Sequence, residues 1–520
     1  MILSAAIEAD MKKKQIDKEL TLEILENYNR GLYDRFSPTQ VWDIPHIDGE
    51  TILDMKGMSI ISIDAEKATE RLAEELPGYS LEDFGAIEGK QFITDVASLC
   101  RLGVLLYPKV GYGILNGGLG TSYADELKNA SAFPSLFPLY EGMFSELSVF
   151  LKNRPKGIAP AYVNPDGSPG YSYLELKFRF LLIESLRYSI LSGEGPAHVA
   201  FFQMTNINTD GELADAYREY RQGVMLKDLI DAAGFDITEG RTGVQPLIAA
   251  YTHSEEGKQK GLFTRAYGRP DNLLPLPGGH GQNFRILEGI YGDLRNEGRL
   301  FAYLGNVDNL GYLIDPLSIA YLALTGKQAG FDFAFRTPLD VKGGILVPQK
   351  NGRLTCADIG PAINLADALN AEKEGKAILF NCATGLFDLT YVTDNITSIQ
   401  NELPMRFSDQ DKEAGRYSQA EQITWEIIGM LDDFLVFAID KYHRFLPAKF
   451  LLETLLLSGI PPQEGVNEGN ISKTMIAHAQ KLHSGLTWLL SAKYGMILTG
   501  GRWEPLSAKE IIRRITNGEI

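Results

Sequence analysis

The sequence predicts an α/β protein, with a sheet-containing core over residues 106–410 between a helical N-terminal region (1–105) and a helical C-terminal region (411–520). Three observations predict it. In the middle of the chain, short apolar runs alternate with helical patterns and Gly-rich turns, the texture of strands joined by helices. At both ends the patterning is helical, with charged outer faces. The length of 520 residues and a hydrophobic content of 44% allow a large buried core.

The elements follow in order. Helical periodicity covers Ile16 to Tyr33 and Asp64 to Leu76, separated by a Pro- and Gly-containing stretch from Ser37 to Gly57. Strand-like runs are Gly111–Leu115, Val199–Thr205, Leu300–Val307, Phe331–Phe335, Ile345–Val347 and Ala377–Phe380. Helical patterns at Ser172–Leu191 and Leu213–Ala233 lie between them. Beyond residue 411 the reading is helical: Ser418–Tyr442 as a long amphipathic helix, then Phe450–Leu457, Ile471–Trp488 with Asn470 as its cap, and Ala508–Ile515. Ligands of such sheets bind in the loops at the carboxyl ends of the strands, so functional residues are sought just after each apolar run.

Charge and cysteine content exclude several functions. Fifty basic against 67 acidic side chains give a net charge of -17, which disfavours nucleic acid and anionic membranes as partners. Cys100, Cys356 and Cys382 are too scattered for a disulfide framework or a paired-ligand zinc site. With no signal-like start and no apolar stretch near 20 residues, the expected setting is the cytoplasm.

Four segments carry candidate chemistry. Leu115-Asn116-Gly117-Gly118-Leu119-Gly120-Thr121-Ser122 follows a strand directly. Its glycines permit positive φ and close ligand approach, and successive N–H groups can cradle phosphate; the alternative is a tight strand-to-helix turn. It matches neither the P-loop nor the dinucleotide fingerprint. Asp308 ends another strand, where one carboxylate can share Mg2+ with phosphate oxygens or else form an Asx turn with Asn309. His280 sits among glycines, read as a positioning donor without an assigned proton transfer. Lys342, in Asp340-Val341-Lys342-Gly343-Gly344, is either a functional cation or a solvent-exposed hairpin lysine.

Together these strings resemble the UDP-glucose and UDP-N-acetylhexosamine pyrophosphorylase family of eukaryotic type. Asn-Gly-Gly-Leu-Gly-Thr-Ser resembles its nucleotide loop, and Met204-Thr205-Asn206-Ile207-Asn208-Thr209-Asp210 its Met-x-Ser-Phe-Asn-Thr-Asp stretch. Pro277-Gly278-Gly279-His280-Gly281 is similar to Pro-Pro-Gly-His-Gly, and Asn306-Val307-Asp308-Asn309-Leu310-Gly311 to Asn-Ile-Asp-Asn-Leu-Gly. Asp340–Gly344 and Arg444-Phe445-Leu446-Pro447-Ala448-Lys449 complete a resemblance spanning roughly residues 106 to 455.

The resemblance implies a Rossmann-like, glycosyltransferase-A-like nucleotidyltransferase fold with a mixed sheet. It implies a uridylyltransferase making a UDP-sugar and pyrophosphate from UTP and a sugar-1-phosphate, with Mg2+ as cofactor. The implied nucleotide contacts are Leu115, Asn116, Gly117, Gly118, Gly120, Thr121, Lys128, Gln245 and Gly279. The implied substrate contacts are His280 along the base and sugar, Asn206 on the nucleotide or the sugar side, Asn309, Gly344 and, toward the sugar, Asn381; the metal falls to Asp308 and charge neutralisation to Lys449 and Lys342. The sugar phosphate is already a competent oxyanion, so alignment and electrostatics suffice without a general base.

The chain also departs from the family. After Ser122 the family continues Met-Gly-Cys-Lys-Gly-Pro-Lys-Ser, whereas this chain reads Tyr123-Ala124-Asp125-Glu126-Leu127-Lys128-Asn129. Lys128 matches the first family lysine with two residues inserted, and Asp125 and Glu126 bring acidity toward a polyphosphate. Asn381 is followed by Cys382, Ala383, Thr384 and Gly385 instead of Asn-Asn, which leaves the sugar unassigned. Residues 465–520 show no β-helix pattern, so an oligomeric state does not carry over. The alternative these departures raise is a non-catalytic UDP-sugar-binding protein on the same fold.

Overall fold

A computed structural model describes residues 3–34, 41, 43–120, 123–151, 154–337, 340, 343–349, 352–360, 363–461 and 473–520. Its main sheet holds ten strands: β1 (Ile52–Asp54), β2 (Val110–Leu115), β3 (Ala200–Asn206), β4 (Arg241–Gln245), β5 (Phe301–Asn306), β6 (Ala329–Phe335), β7 (Gly344–Pro348), β8 (Leu354–Asp358), β9 (Leu379–Asp388) and β10 (Phe434–Ile439). The order is β1-β10-β6-β9-β5-β2-β3-β4, with the β7–β8 hairpin joined to β9. β9 runs antiparallel to β5 and β6, and the remaining neighbours along that path are parallel. The sheet is mixed, and the α/β class read from the sequence is the observed one.

The central strands are buried on both faces. Tyr112, Ile114, Phe301 and Tyr303 point into one core with the helices Val96–Leu105, Tyr173–Ser192 and Pro316–Thr325. Phe202, Met204, Ala302 and Leu304 point into the other, under Glu288–Asn296 and Leu389–Glu402. This two-residue alternation with apolar residues on each side is what a helix-covered sheet requires. The helix Tyr173–Ser192 starts on a Ser172/Glu175 capping box and stops at Gly193, whose φ of 75° closes the C-terminus.

Four readings of the sequence need correction. Ser418–Tyr442 is not a helix: it divides into a strand Gly415–Gln422, a 3-10 turn Thr424–Met430 and β10. The run Phe434–Ile439 is buried throughout between β1 and β6, and a short apolar run of that kind has no period to separate strand from helix. The pattern Leu213–Ala233 splits into Asp210–Tyr220 and Lys227–Ala233. The N-terminal region carries a three-stranded sheet (Ile60–Asp64, Ala86–Glu88, Gln91–Asp95) and supplies β1. The C-terminal region includes the hairpin Met496–Thr499/Arg502–Pro505 beside the helices Lys473–Trp488 and Ala508–Thr516. The sheet thus draws β1 and β10 from outside residues 106–410. Asn470 and Ile471 lie outside the described residues. No helix among the described residues is long and apolar enough to cross a membrane.

Candidate active site

Parallel pairing of β5, β2, β3 and β4 brings Asn306, Leu115, Asn206 and Gln245 to one edge of the sheet. The antiparallel β9 places its first residues, including Asn381 opposite Phe333, at the corresponding end of β6. Every described site residue named from the sequence except Lys128, Gly344 and Lys449 lies at or just beyond these strand ends or in the His280 loop.

The glycine loop leaves β2 at Leu115. Asn116 is fully buried; its N–H donates to Met204 O (2.8 Å) and its Nδ2 to Gln203 Oε1 (3.0 Å), so it anchors the loop from beneath. A Cβ on Gly117 would stand 3.3 Å from Asn206 Cβ, whereas one on Gly118 would meet open space. Neither these glycines nor Gly120 lies in the left-handed region, so at Gly117 it is close approach to the end of β3, rather than positive φ, that favours glycine. Thr121 and Ser122 lie outside the described residues.

The loop is matched by a segment that the sequence reading missed. Leu119 bridges Pro155, Gly120 N–H donates to Arg154 O (2.8 Å), and Lys156 N–H donates to Gly118 O (3.0 Å). This brings the Lys156 ammonium into an ion pair with Asp308 and 5.4 Å over the Tyr123 ring. Both partners are largely buried, which makes the pair stronger than a surface one but dependent on both charges. The signal was present: Pro155-Lys156 repeats the Pro-Lys of the family's continuation, displaced by residues 123–153. Within that stretch, Asp125 caps the helix Glu126–Ala132 by accepting from Lys128 N–H (2.8 Å), and Glu126 and Lys128 are exposed in its first turn. The acidity is therefore spent on a helix start, and the basic position beside the glycines is filled by Lys156 rather than by Lys128.

On the other side of β3, Gln245 is buried and donates to Gly279 O (2.7 Å) and Gln282 Oε1 (2.9 Å). Gly279 has φ +83°, and a Cβ there would lie 2.3 Å from Gln422 O, so the loop seats on the strand Gly415–Gln422 only as glycine. His280 Nδ1 accepts from Thr424 N–H (3.2 Å) and meets Thr424 Oγ1 at 2.8 Å. Burial pushes this imidazole down to about 4, so it is neutral near pH 7. With Nδ1 accepting, its proton resides on Nε2, leaving one fixed donor. Asn206 Oδ1 accepts from Asn208 N–H (3.0 Å), turning the chain after β3.

Lys449 is exposed, at the foot of the helix Leu451–Leu457. Glu453 accepts from the Lys449 and Phe450 N–H groups (2.6 and 3.0 Å). Burial raises its carboxyl against the pull of the Lys449 and Lys156 ammoniums, both of which act on it. The preceding Arg444 is clamped by Asp332 (2.7 Å) and Asp315 (3.0 Å). Asn309 is buried and spends its amide on this segment: Oδ1 accepts from Leu446 and Gly311 N–H groups (2.9 Å each) and Nδ2 donates to Arg444 O (3.2 Å). It is a strut between the Asp308 turn and the Lys449 loop. Lys342 lies outside the described residues; its neighbour Asp340 pairs with Lys441.

At the far end, Gly344 faces Asp358 across the β7–β8 hairpin, and a Cβ there would stand 2.8 Å from Cys356 Sγ. Asn381 Nδ2 donates to the same sulfur (3.2 Å), and Oδ1 accepts from Ala383 N–H (2.7 Å). Burial pushes the Cys356 thiol up to about 12, so it is an uncharged hydrogen-bonding group. Arg406 links Glu426 to Asp358 beside it.

Residues 263–460 match the family model described as UDPGP, UTP–glucose-1-phosphate uridylyltransferase. That span includes the His280 loop, Asp308, Asn381 and Lys449, and excludes the Gly117–Gly120 loop. A Schizosaccharomyces pombe protein named probable UTP–glucose-1-phosphate uridylyltransferase is 23% identical over 209 residues, 39% of this chain and 36% of that protein. UTP–glucose-1-phosphate uridylyltransferase 2 of Dictyostelium discoideum is 31% identical over 103 residues, 17% of this chain and 20% of that protein. The chain's matches thus span about a third of the first relative's length and a fifth of the second's. The crystal structure of UDP-glucose phosphorylase from Trypanosoma brucei aligns with TM-score 0.54 at 16% identity, covering 91% of this chain and 81% of that one; at that identity it shows a shared fold.

Proposed function

We propose, on the premise that the chain belongs to the UDP-sugar pyrophosphorylase family, that it is a uridylyltransferase joining UTP and a sugar-1-phosphate. The observation that carries this reading is the meeting of the Gly117–Gly120 loop, Lys156 and Asp308 at one sheet edge, with Lys449 arriving from the C-terminal side. A phosphate oxygen of the sugar-1-phosphate attacks the α-phosphorus of UTP, and the bond to pyrophosphate breaks. Negative charge grows on the non-bridging oxygens, which is where two lysines and a loop of N–H groups are useful. Lys156 exchanges its carboxylate partner for phosphate, and Lys449 approaches from the exposed side. Gln245 and Gly279 line the uracil side, and the Nε2–H of His280 is a fixed donor toward the sugar diphosphate.

Asp308 fits a hard divalent cation such as Mg2+: it is a carboxylate at a strand end facing the phosphate loop. Among the described residues no group of three or more His, Cys, Asp or Glu is arranged to hold a metal, so phosphate and water would complete its shell. When bound, the cation neutralises phosphate charge. The three free thiols support a reducing, cytoplasmic setting.

The relatives' names make glucose-1-phosphate the first substrate to test. Pyrophosphate release from UTP and Mg2+ across a panel of sugar-1-phosphates is expected with glucose-1-phosphate or one of its close analogues. Tight UTP binding without release from any sugar would overturn the reading and leave a binding protein. The acidity of Asp125 and Glu126, which raised that alternative, is accounted for by the helix cap.

A further inference from the structure

The helix Tyr173–Ser192 buries a lysine. Lys177 is 1% exposed, and its ammonium donates to Asn309 O (2.8 Å) and Tyr312 O (3.1 Å) while lying 4.9 Å from the centre of the Tyr312 ring. The charge that acts on it is that of Asp308, and burial pushes it down to about 7. An ammonium in a core is unfavourable even after relaxation, and lysine is almost never fully buried without a partner. An apolar residue would fill this helix position more cheaply, so the site is built for what the ammonium holds.

What it holds is the turn directly after Asp308. Tyr312 O also accepts from Tyr112 OH (2.7 Å), and Tyr312 OH donates to Gly113 O (2.6 Å), tying the turn to the strand that leads into the Gly117–Gly120 loop. Asn309 ties the same turn to Leu446 and Arg444. Lys177 therefore lies under the junction of the three segments that present the nucleotide loop, Asp308 and Lys449.

The geometry points to Lys177 as a positioning residue: by holding the Asn309 and Tyr312 carbonyls it fixes the Asp308 turn and, through Asn309, the loop that ends at Lys449. Its role in turnover rests on the uridylyltransferase reading; its hold on the turn does not. The test compares the full-length protein with Lys177→Met, which keeps the volume and removes the donors, and Lys177→Gln, which keeps two N–H donors on a shorter stem. Hydrogen exchange of segments 308–312 and 444–449 is expected to quicken in Lys177→Met, with the remaining helix and sheet amides unchanged, and to recover in part in Lys177→Gln. In steady-state turnover with UTP, Mg2+ and the accepted sugar-1-phosphate, kcat of Lys177→Met falls about tenfold to a hundredfold while KM for UTP stays within about threefold. A folded Lys177→Met with unchanged exchange at both segments, or with unchanged kcat, overturns the inference. An inactive wild-type protein defeats the reaction instead, and exchange alone then decides whether Lys177 holds the turn. If Lys177→Met does not fold, Lys177→Gln carries both measurements under the same criteria.

Discussion

The proposed phosphate end of the site and its proposed sugar end are built on different kinds of strand. At the phosphate end, the Gly117–Gly120 loop, Asn206 and Asp308 follow three parallel strands paired residue by residue. At the sugar end, Asn381 sits on the antiparallel β9 where its pairing with β6 slips between Phe331 and Phe333, and Ala383 takes φ +50°. A bulge of this kind re-aims a side chain and is set by local residues rather than by the sheet. The contrast teaches why family strings survive at one end and dissolve at the other. Parallel strands fix the spacing of their loops, so a loop motif carries its geometry with it. The bulge and the Cys356–Asn381 contact depend on local packing.

Substitutions can break or sharpen this contrast. The largest effect is expected for Lys156→Met, which removes the phosphate cation and leaves Asp308 without its partner: kcat/KM falls about 10²- to 10³-fold, read by pyrophosphate release. Lys449→Met should cost less, about tenfold to a hundredfold in kcat, because the side chain is exposed and its loop is held independently by Asn309 and Glu453. A larger loss at Lys449 than at Lys156 would reverse the ranking of the two cations. Asn381→Ala should act at the sugar end alone, raising KM for the sugar-1-phosphate by about 1 kcal/mol worth, several-fold, with KM for UTP unchanged. Equal changes in both constants would mean that the two ends are not separate. The smallest effect on activity belongs to Asp125→Ala: turnover within about twofold, and about 1 kcal/mol of stability lost with the helix cap, read by urea unfolding.

Much of the fold was legible. The strands β2, β3 and β5 and the helix Tyr173–Ser192 show in hydrophobic runs and caps, because burial on both faces and a capping box are local signals. Ser418–Tyr442 misled because a central strand and a buried helix segment share an apolar pattern. Within the site, Asp308 and the glycine loop were legible as strings at strand ends. Lys156 was missed although its Pro-Lys string was present, because residues 123–153 separate it from the loop it serves, and its place is set by a bridge between Leu119 and Pro155. Asn309 was named for the substrate side, yet its amide is consumed by Gly311, Leu446 and Arg444, a use that no string of neighbours announces.

By itself the sequence determined the α/β class, the strand ends that carry the candidate residues and the family to compare, because periodicity, turn chemistry and short loop motifs act over a few residues. Only the tertiary structure decided which lysine faces Asp308 and that Lys177 lies under the Asp308 turn. Those facts depend on segments far apart in the chain meeting across the sheet edge, and local sequence does not fix pairings of that range.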